Sequence, residues 1–334
     1  MRALALLTAL ILAGCHDQAG GGAGPRAQIR VVGSSTVYPF TTIVAEQLVS
    51  GDPDLAAPVI ESTGTGAGLR LFCAGIGPQH PDVADASRRI TADEYRHCAA
   101  HGAGPILEVQ IGLDGVVLAE ALDGPRMALT AADLYRALAA MPFGRPNRAT
   151  TWADVRPGLP TTRIQVYGPP ATSGTREALT ELILARGCLA ADRAARALPV
   201  VQRHARCTHL REDGAFADAG ENDNFIVRKL RANPQAIGVF GYGYLRENTG
   251  TVRAVPLDGV APGAAAIASG RYPGARPLYL YVKRAHLDAV PGLRTFLSLY
   301  VRAAVPDGPL ARRGLVAAPA PARARAAAVL AREI

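Results

Sequence analysis

Lysine is almost missing from this chain of 334 residues: Lys229 and Lys283 are the only two among 36 basic residues, the rest being arginine. Aromatic side chains make up 5% of it, Trp152 is the sole tryptophan, and no aromatic residues interleave with the arginines. A formal charge of +8 invites a nucleic-acid partner. Without aromatic platforms a single strand has nothing to stack on, so nucleic acid is set aside. Beyond the first residues no run of 18 apolar side chains occurs, which excludes a later membrane span of helical type. No C-x-x-C pair offers a zinc-ribbon framework, and no metal or cofactor is expected. The dinucleotide fingerprint also fails, because counting G-x-G-x-x-G from Gly64 or Gly66 lands on Leu69 or Leu71. No Walker-type Gly-Lys-Ser/Thr occurs, and no G-x-S-x-G elbow surrounds Ser173.

What is present begins with Arg2, an apolar run from Ala3 to Ala13, and then Gly14-Cys15. The run is too short to span a bilayer and has the form of an export signal. Small residues directly before a cysteine resemble the lipobox of bacterial lipoproteins, which implies a signal over residues 1–14 and a lipid anchor at Cys15. A Gly-rich stretch then predicts a flexible tether over 15–27. Export implies an oxidising compartment, the periplasm, so Cys73, Cys98, Cys188 and Cys207 are expected in disulfides. Four cysteines allow three pairings. The sequence-near one, Cys73 with Cys98 and Cys188 with Cys207, would close two modest loops, each contributing roughly 3 kcal/mol through loop entropy.

Along the remainder, short β-branched runs alternate with apolar residues at helical spacing. Ile29 to Gly33 reads as a strand, followed by Val37, Phe40, Val44 and Leu48 on one helix face. Pro58 to Glu61 and Asp82 to Ala86 read as further strands, and Thr91 with Glu94 as a capping box. Ile106 to Leu118 is a longer apolar stretch, interrupted at Gly112, Asp114 and Gly115, where the chain could cross between domains. Arg163 to Tyr167 is a strand, Ser173 opens a helix ending near Gly187, and Ile237 to Phe240 and Tyr279 to Val282 are strands. The alternation predicts an α/β fold with mostly parallel sheets flanked by helices.

Three of the strand-to-helix turns share one chemistry: Gly33-Ser34-Ser35-Thr36, Gly64-Thr65-Gly66-Ala67-Gly68, and Thr172-Ser173-Gly174-Thr175. Each sets hydroxyls and free backbone N–H groups at the positive end of a helix. Such an end binds an anion without a cationic side chain, because the N–H groups point outward and glycine lets the ligand approach. Serine and threonine are also ordinary helix caps, so one such turn means little. Three in one chain, all after strands, point to an oxyanion.

The motifs GSSTVYPF from Gly33, ESTGTGAG from Glu61, DASR from Asp85, PPATSGTRE from Pro169, GENDNFIVRKL from Gly220 and IGVFGYGYL from Ile237 together resemble the phosphate-binding protein of Pst-type ABC transporters. The resemblance covers nearly the whole chain after residue 27. It implies a two-lobed periplasmic binding protein fold of type II, with lobe I formed by 28–112 plus 276–334 and lobe II by 113–275. It also implies a monomer that catalyses nothing, holds inorganic phosphate between its lobes and passes it to a membrane permease. Carried over by position, the phosphate contacts are Ser35, Thr36 and the Val37 amide, then Thr65 and Gly66, then Ser173, Gly174 and Thr175. Two positions depart from the family. Ser87, followed by Arg88, stands where some members carry an aspartate that accepts the phosphate proton, and Pro169 stands where some carry an arginine. Arg88 is the expected substitute cation, with Arg176 next. Asp223 is the expected acceptor, with Asp85 and Glu221 behind it. Another tetrahedral oxyanion such as sulfate, or an exported phosphate-ester hydrolase, are the alternatives.

Overall fold

The structure, a computed structural model, describes residues 28–171, 173–220 and 223–333. The signal sequence, Cys15, the tether, Thr172, Glu221 and Asn222 lie outside the described residues.

Among the described residues nine strands build one sheet: β1 (Arg30–Gly33), β2 (Val59–Ser62), β3 (Val83–Ala86), β4 (Ile106–Ala121), β5 (Val166–Gly168), β6 (Phe216–Asp218), β7 (Ile237–Gly241), β8 (Val252–Val255) and β9 (Ala275–Lys283). Their spatial order is β2-β1-β3-β9-β4-β7-β5-β6, with β8 also on β4. β1 pairs parallel with β2 and β3, and β5 pairs parallel with β6 and β7. Every pairing that involves β4 or β9 is antiparallel. Within each half the βα strands thus pair parallel as expected, and the sheet as a whole is mixed because the strands that join the halves run against them.

Two large hydrophobic cores flank the joint. One collects Val31, Val44, Leu48, Val109, Leu280, Phe296 and Tyr300, and the other collects Val117, Leu134, Trp152, Val166, Leu184, Ile237 and Phe240. The helix Tyr38–Gly51 shows how periodicity makes the first: Phe40, Val44 and Leu48 fall on one stripe and are buried, while Glu46 and Ser50 face out. Burying each such side chain is worth about 1.5–3 kcal/mol.

β4 is one continuous strand of 16 residues. Gly112, Asp114 and Gly115, which read as interruptions, lie inside it, and the strand changes register against β9 between Gln110 and Gly112. Gly112 is needed there for space: a Cβ would sit 2.6 Å from Leu315 Cδ1, which packs over the bare backbone. Val316 then bridges to Leu113 on the same strand. The C-terminal helix Ala320–Glu333 divides its contacts, with Ala322 in one core and Ala326 and Leu330 in the other.

The helix opened by Ser173 does not stop near Gly187. It runs as Gly174–Ala178, a wide-turn stretch Leu179–Leu184 and Ala185–Ala191. Gly187 is a crossing point, because any Cβ there would collide with the Ala131 carbonyl. The helix Val200–Thr208 and the short strands β6 and β8 were not anticipated. The four cysteines pair as Cys73–Cys98 and Cys188–Cys207. The second bond closes a small apolar cluster of Tyr135, Ala139 and Ala195. Among the described residues no helix is long and apolar enough to cross a membrane.

Candidate functional site

The turn after β1 and the turn before the Gly174 helix meet across the joint. Gly174 N–H donates to Ser35 Oγ at 2.6 Å, although the residues are 139 apart in sequence. No larger residue fits at 174 without movement, since a Cβ would lie 2.7 Å from Thr36 Oγ1 and 3.3 Å from Ser34 Oγ. Ser35, Thr36, Ser173, Thr175 and Asp223 line one cleft of about 490 Å³ together with Asp114, Tyr38 and Tyr244. Histidine is not among the lining residues. Ser173 caps its helix by accepting from Thr175 N–H at 3.2 Å. Asp223 is buried and accepts from Gly241 N–H at 3.4 Å.

Thr65, Gly66, Ser87 and Arg88 form a second group beside the first. Thr65 Oγ1 accepts from Ser87 N–H at 3.1 Å and shares a 3.0 Å hydrogen bond with Ser87 Oγ. Arg88 reaches toward Gly66 but grips Glu94 with two hydrogen bonds of 2.8 and 2.9 Å. Its Nε lies 3.7 Å from Glu177, which links this group to the Gly174 helix. The expected substitute cation therefore has its charge engaged by two carboxylates. Val37 differs from expectation in a similar way, because its N–H donates within its own turn to Ser34 O at 3.1 Å. Arg176 turns away from the cleft to donate to Pro169 O and lies 4.0 Å over the Phe216 ring.

Asp85 sits beneath the first turn and does not line the cleft. Its backbone carbonyl accepts from Ser34 N–H, and its carboxylate accepts from Thr41 Oγ1 at 2.8 Å. Burial pushes this carboxyl up to about 8, against the opposing effect of the Thr41 hydrogen bond. Tyr300 completes the buried chain at 3.1 Å from Thr41 Oγ1.

Sequence reasoning missed the cation nearest the meeting point of the turns. Arg276, on β9, is 2% exposed and donates to Thr36 Oγ1 at 2.6 Å, to Gly174 O at 2.5 Å and to Asp114 Oδ2 from both Nε and Nη2. Asp114 and Arg276 are direct register partners on β4 and β9. An arginine facing an aspartate across two strands leaves no local motif, since 162 residues separate them. Only the departure at Pro169 signals that a cation has to come from elsewhere.

The polarity of the hydroxyls follows from these bonds. Ser35, Thr36 and Ser173 each accept from an N–H group through oxygen. Each therefore keeps its own hydrogen to donate. Three such hydroxyls lining one cleft suit a ligand whose surface is all acceptor, which is an oxyanion.

Two cores joined by β4 and β9, with hydroxyl-bearing turns from each side meeting at one cleft, define a two-lobed binding-protein fold. The chain belongs to the PBP superfamily, matching the PBP superfamily domain over residues 19–303. It is 30% identical over 314 residues to Protein SphX of Synechococcus elongatus, covering 91% of this chain and 80% of that protein. It is 25% identical over 299 residues to the phosphate-binding protein PstS of Staphylococcus saprophyticus, covering 88% and 82% of the two chains. The solved structure of a possible phosphate-binding protein from Planctomyces limnophilus superposes with a TM-score of 0.67 at 28% identity, over 92% of this chain and 98% of that one. The fold recurs, at 20% identity and a TM-score of 0.60, in a putative phosphate ABC transporter substrate-binding protein from Clostridium perfringens, over 87% of this chain and 100% of that one.

Proposed function

We propose that the protein binds inorganic phosphate in the cleft between its lobes and delivers it to the permease of an ABC transporter. It acts outside the inner membrane, held there by a lipid on Cys15, as a monomer and without turning its ligand over. The observation that carries this reading is the junction of Ser35 with Gly174. It brings donors from both lobes to one point, where a small anion can be enclosed. PstS as a relative, and the solved Planctomyces structure of a possible phosphate-binding protein, support phosphate as that anion.

Phosphate differs from sulfate at neutral pH in carrying a P–O–H, which needs an acceptor. Asp223 lines the cleft and supplies carboxylate oxygens. A carboxylate accepts from a protonated oxyanion and repels one with no proton, which favours phosphate. Binding is favoured over ester hydrolysis, since among the described residues the cleft lining holds no histidine and His204 is exposed and paired with Glu181 at 2.6 Å.

Calorimetric titration with phosphate, with sulfate as competitor, tests the reading. Ser173→Ala and Thr175→Ala are each expected to weaken phosphate binding roughly tenfold, the loss of one hydrogen bond to a charged group. Unchanged affinity in both variants refutes the site. Trp152 is a poor reporter for this titration because it is fully buried in one core and does not line the cleft.

A further inference from the structure

Pro169 removes a cation from the turn where a charge-recognising arginine would be simplest to place, and Arg88 and Arg176 do not replace it. Arg88 is held by Glu94 and Glu177, and Arg176 lies over Phe216. Arg276 is differently situated: it is itself buried and not among the cleft-lining residues, but its partners Thr36 and Asp114 line the cleft. It comes from β9, one of the two strands joining the lobes, and touches the first turn through Thr36 and the second through Gly174. The donor count is also informative. Guanidinium carries five N–H bonds, and four hydrogen bonds are made, so one N–H on Nη1 is uncommitted among the described residues.

We infer that the Arg276–Asp114 pair is the charged element of the anion site, relocated from the signature turn to the strands of the joint. Arg276 supplies the cation, and Asp114 is the positioning residue that fixes its fork. Three consequences follow from the geometry. Because Nη2 donates to Thr36 Oγ1, the Thr36 hydroxyl hydrogen is left to point at the ligand. Asp114 cancels the charge of Arg276, so the buried pair is neutral before the anion arrives and avoids the cost of an isolated buried cation. The guanidinium is bound to both turns, so it senses their separation, and its full contact set exists only when the lobes are together. Lysine would not serve here, having a point charge and no planar fork with which to span Thr36, Gly174 and Asp114.

This inference rests on the phosphate reading, and the test separates the two. Wild type, Arg276→Met, Arg276→Lys, Asp114→Asn and the Asp114→Asn/Arg276→Met double variant are titrated calorimetrically with inorganic phosphate, each after a thermal melt to establish folding. Arg276→Met is expected to bind roughly 100-fold more weakly, as for truncation within a buried charge pair. Arg276→Lys and Asp114→Asn should each lose about tenfold. The double variant should be no weaker than Arg276→Met alone, because Asp114 acts through Arg276. Should Arg276→Met fail to fold, Arg276→Lys decides. Arginine variants that bind phosphate like a binding-competent wild type overturn this inference and leave the phosphate reading intact. So does a double variant whose losses simply add. A folded wild type that binds no phosphate overturns both.

Discussion

Replacing Gly174 by alanine separates folding from binding in a way the contacts make quantitative. Gly174 is the first residue of its helix and is not in the left-handed region, so alanine is tolerated by the backbone. Within its own lobe the change should stabilise by about 0.4–1 kcal/mol, through the lower entropy of the unfolded chain. Across the joint its effect has the opposite sign. The new methyl would lie 2.7 Å from Thr36 Oγ1, 3.3 Å from Ser34 Oγ and 3.5 Å from Ser35 Oγ. Thr36 has little freedom to retreat, since Arg276 holds its hydroxyl at 2.6 Å and is itself fixed by Asp114. Overpacking of this kind costs about 1–3 kcal/mol, and here it falls only on the arrangement with the two turns together. Phosphate affinity should therefore fall roughly 5- to 150-fold, while the melting temperature stays level or rises slightly. Calorimetry and a thermal melt on the same sample read both quantities. Affinity within twofold of wild type would refute the claim that the lobes meet at Gly174 when the anion is held.

Two further predictions concern stability. Asp85 holds its proton up to about 8 when folded, whereas an unfolded aspartate loses it near 4. Between those values the folded protein binds a proton that the unfolded chain does not, so stability should decline as pH rises from about 4 to 8 and level off above. Asp85→Asn should flatten that decline, which urea unfolding at pH 5 and pH 8 will show; an unchanged difference between the two pH values removes Asp85 from the account. Cys188 and Cys207 lie outside the cleft lining, so replacing both by serine should cost about 3 kcal/mol of stability and leave phosphate affinity alone. A melting point unmoved by the double replacement would show that the loop it closes is not held by the bond.

The turns were legible in sequence because each is local: a β-branched run, two or three small hydroxyl residues, then an apolar helix stripe. Ser35, Thr36, Ser173 and Thr175 needed no knowledge of the fold to be singled out, and the structure places them on one cleft. The capping box of Thr91 with Glu94 was readable for the same reason and is present. What could not be read depends on contacts between distant segments. Arg276 and Asp114 look like ordinary strand residues until β4 and β9 pair. Arg88 looked available until Glu94, six residues on in the next helix, closed on it. Gly112 and Gly187 read as breaks in sequence, the usual meaning of glycine, yet each marks a close approach by another part of the chain. The antiparallel direction of β4 and β9 leaves no mark in the sequence, because strand direction is set by topology and not by residue type.

The tail has a mechanical consequence. Leu315 belongs to one core and Val316, the next residue, to the other, and Val316 is bridged to Leu113 on β4. The joint between the lobes is thus a ribbon of three chain segments, β9, β4 and the stretch around Val316. Two strands alone can twist and splay, but a third laid alongside resists both and leaves bending as the easy motion. An opening of the lobes would then follow a single arc and bring the turns bearing Ser35 and Gly174 back to the same register on closing.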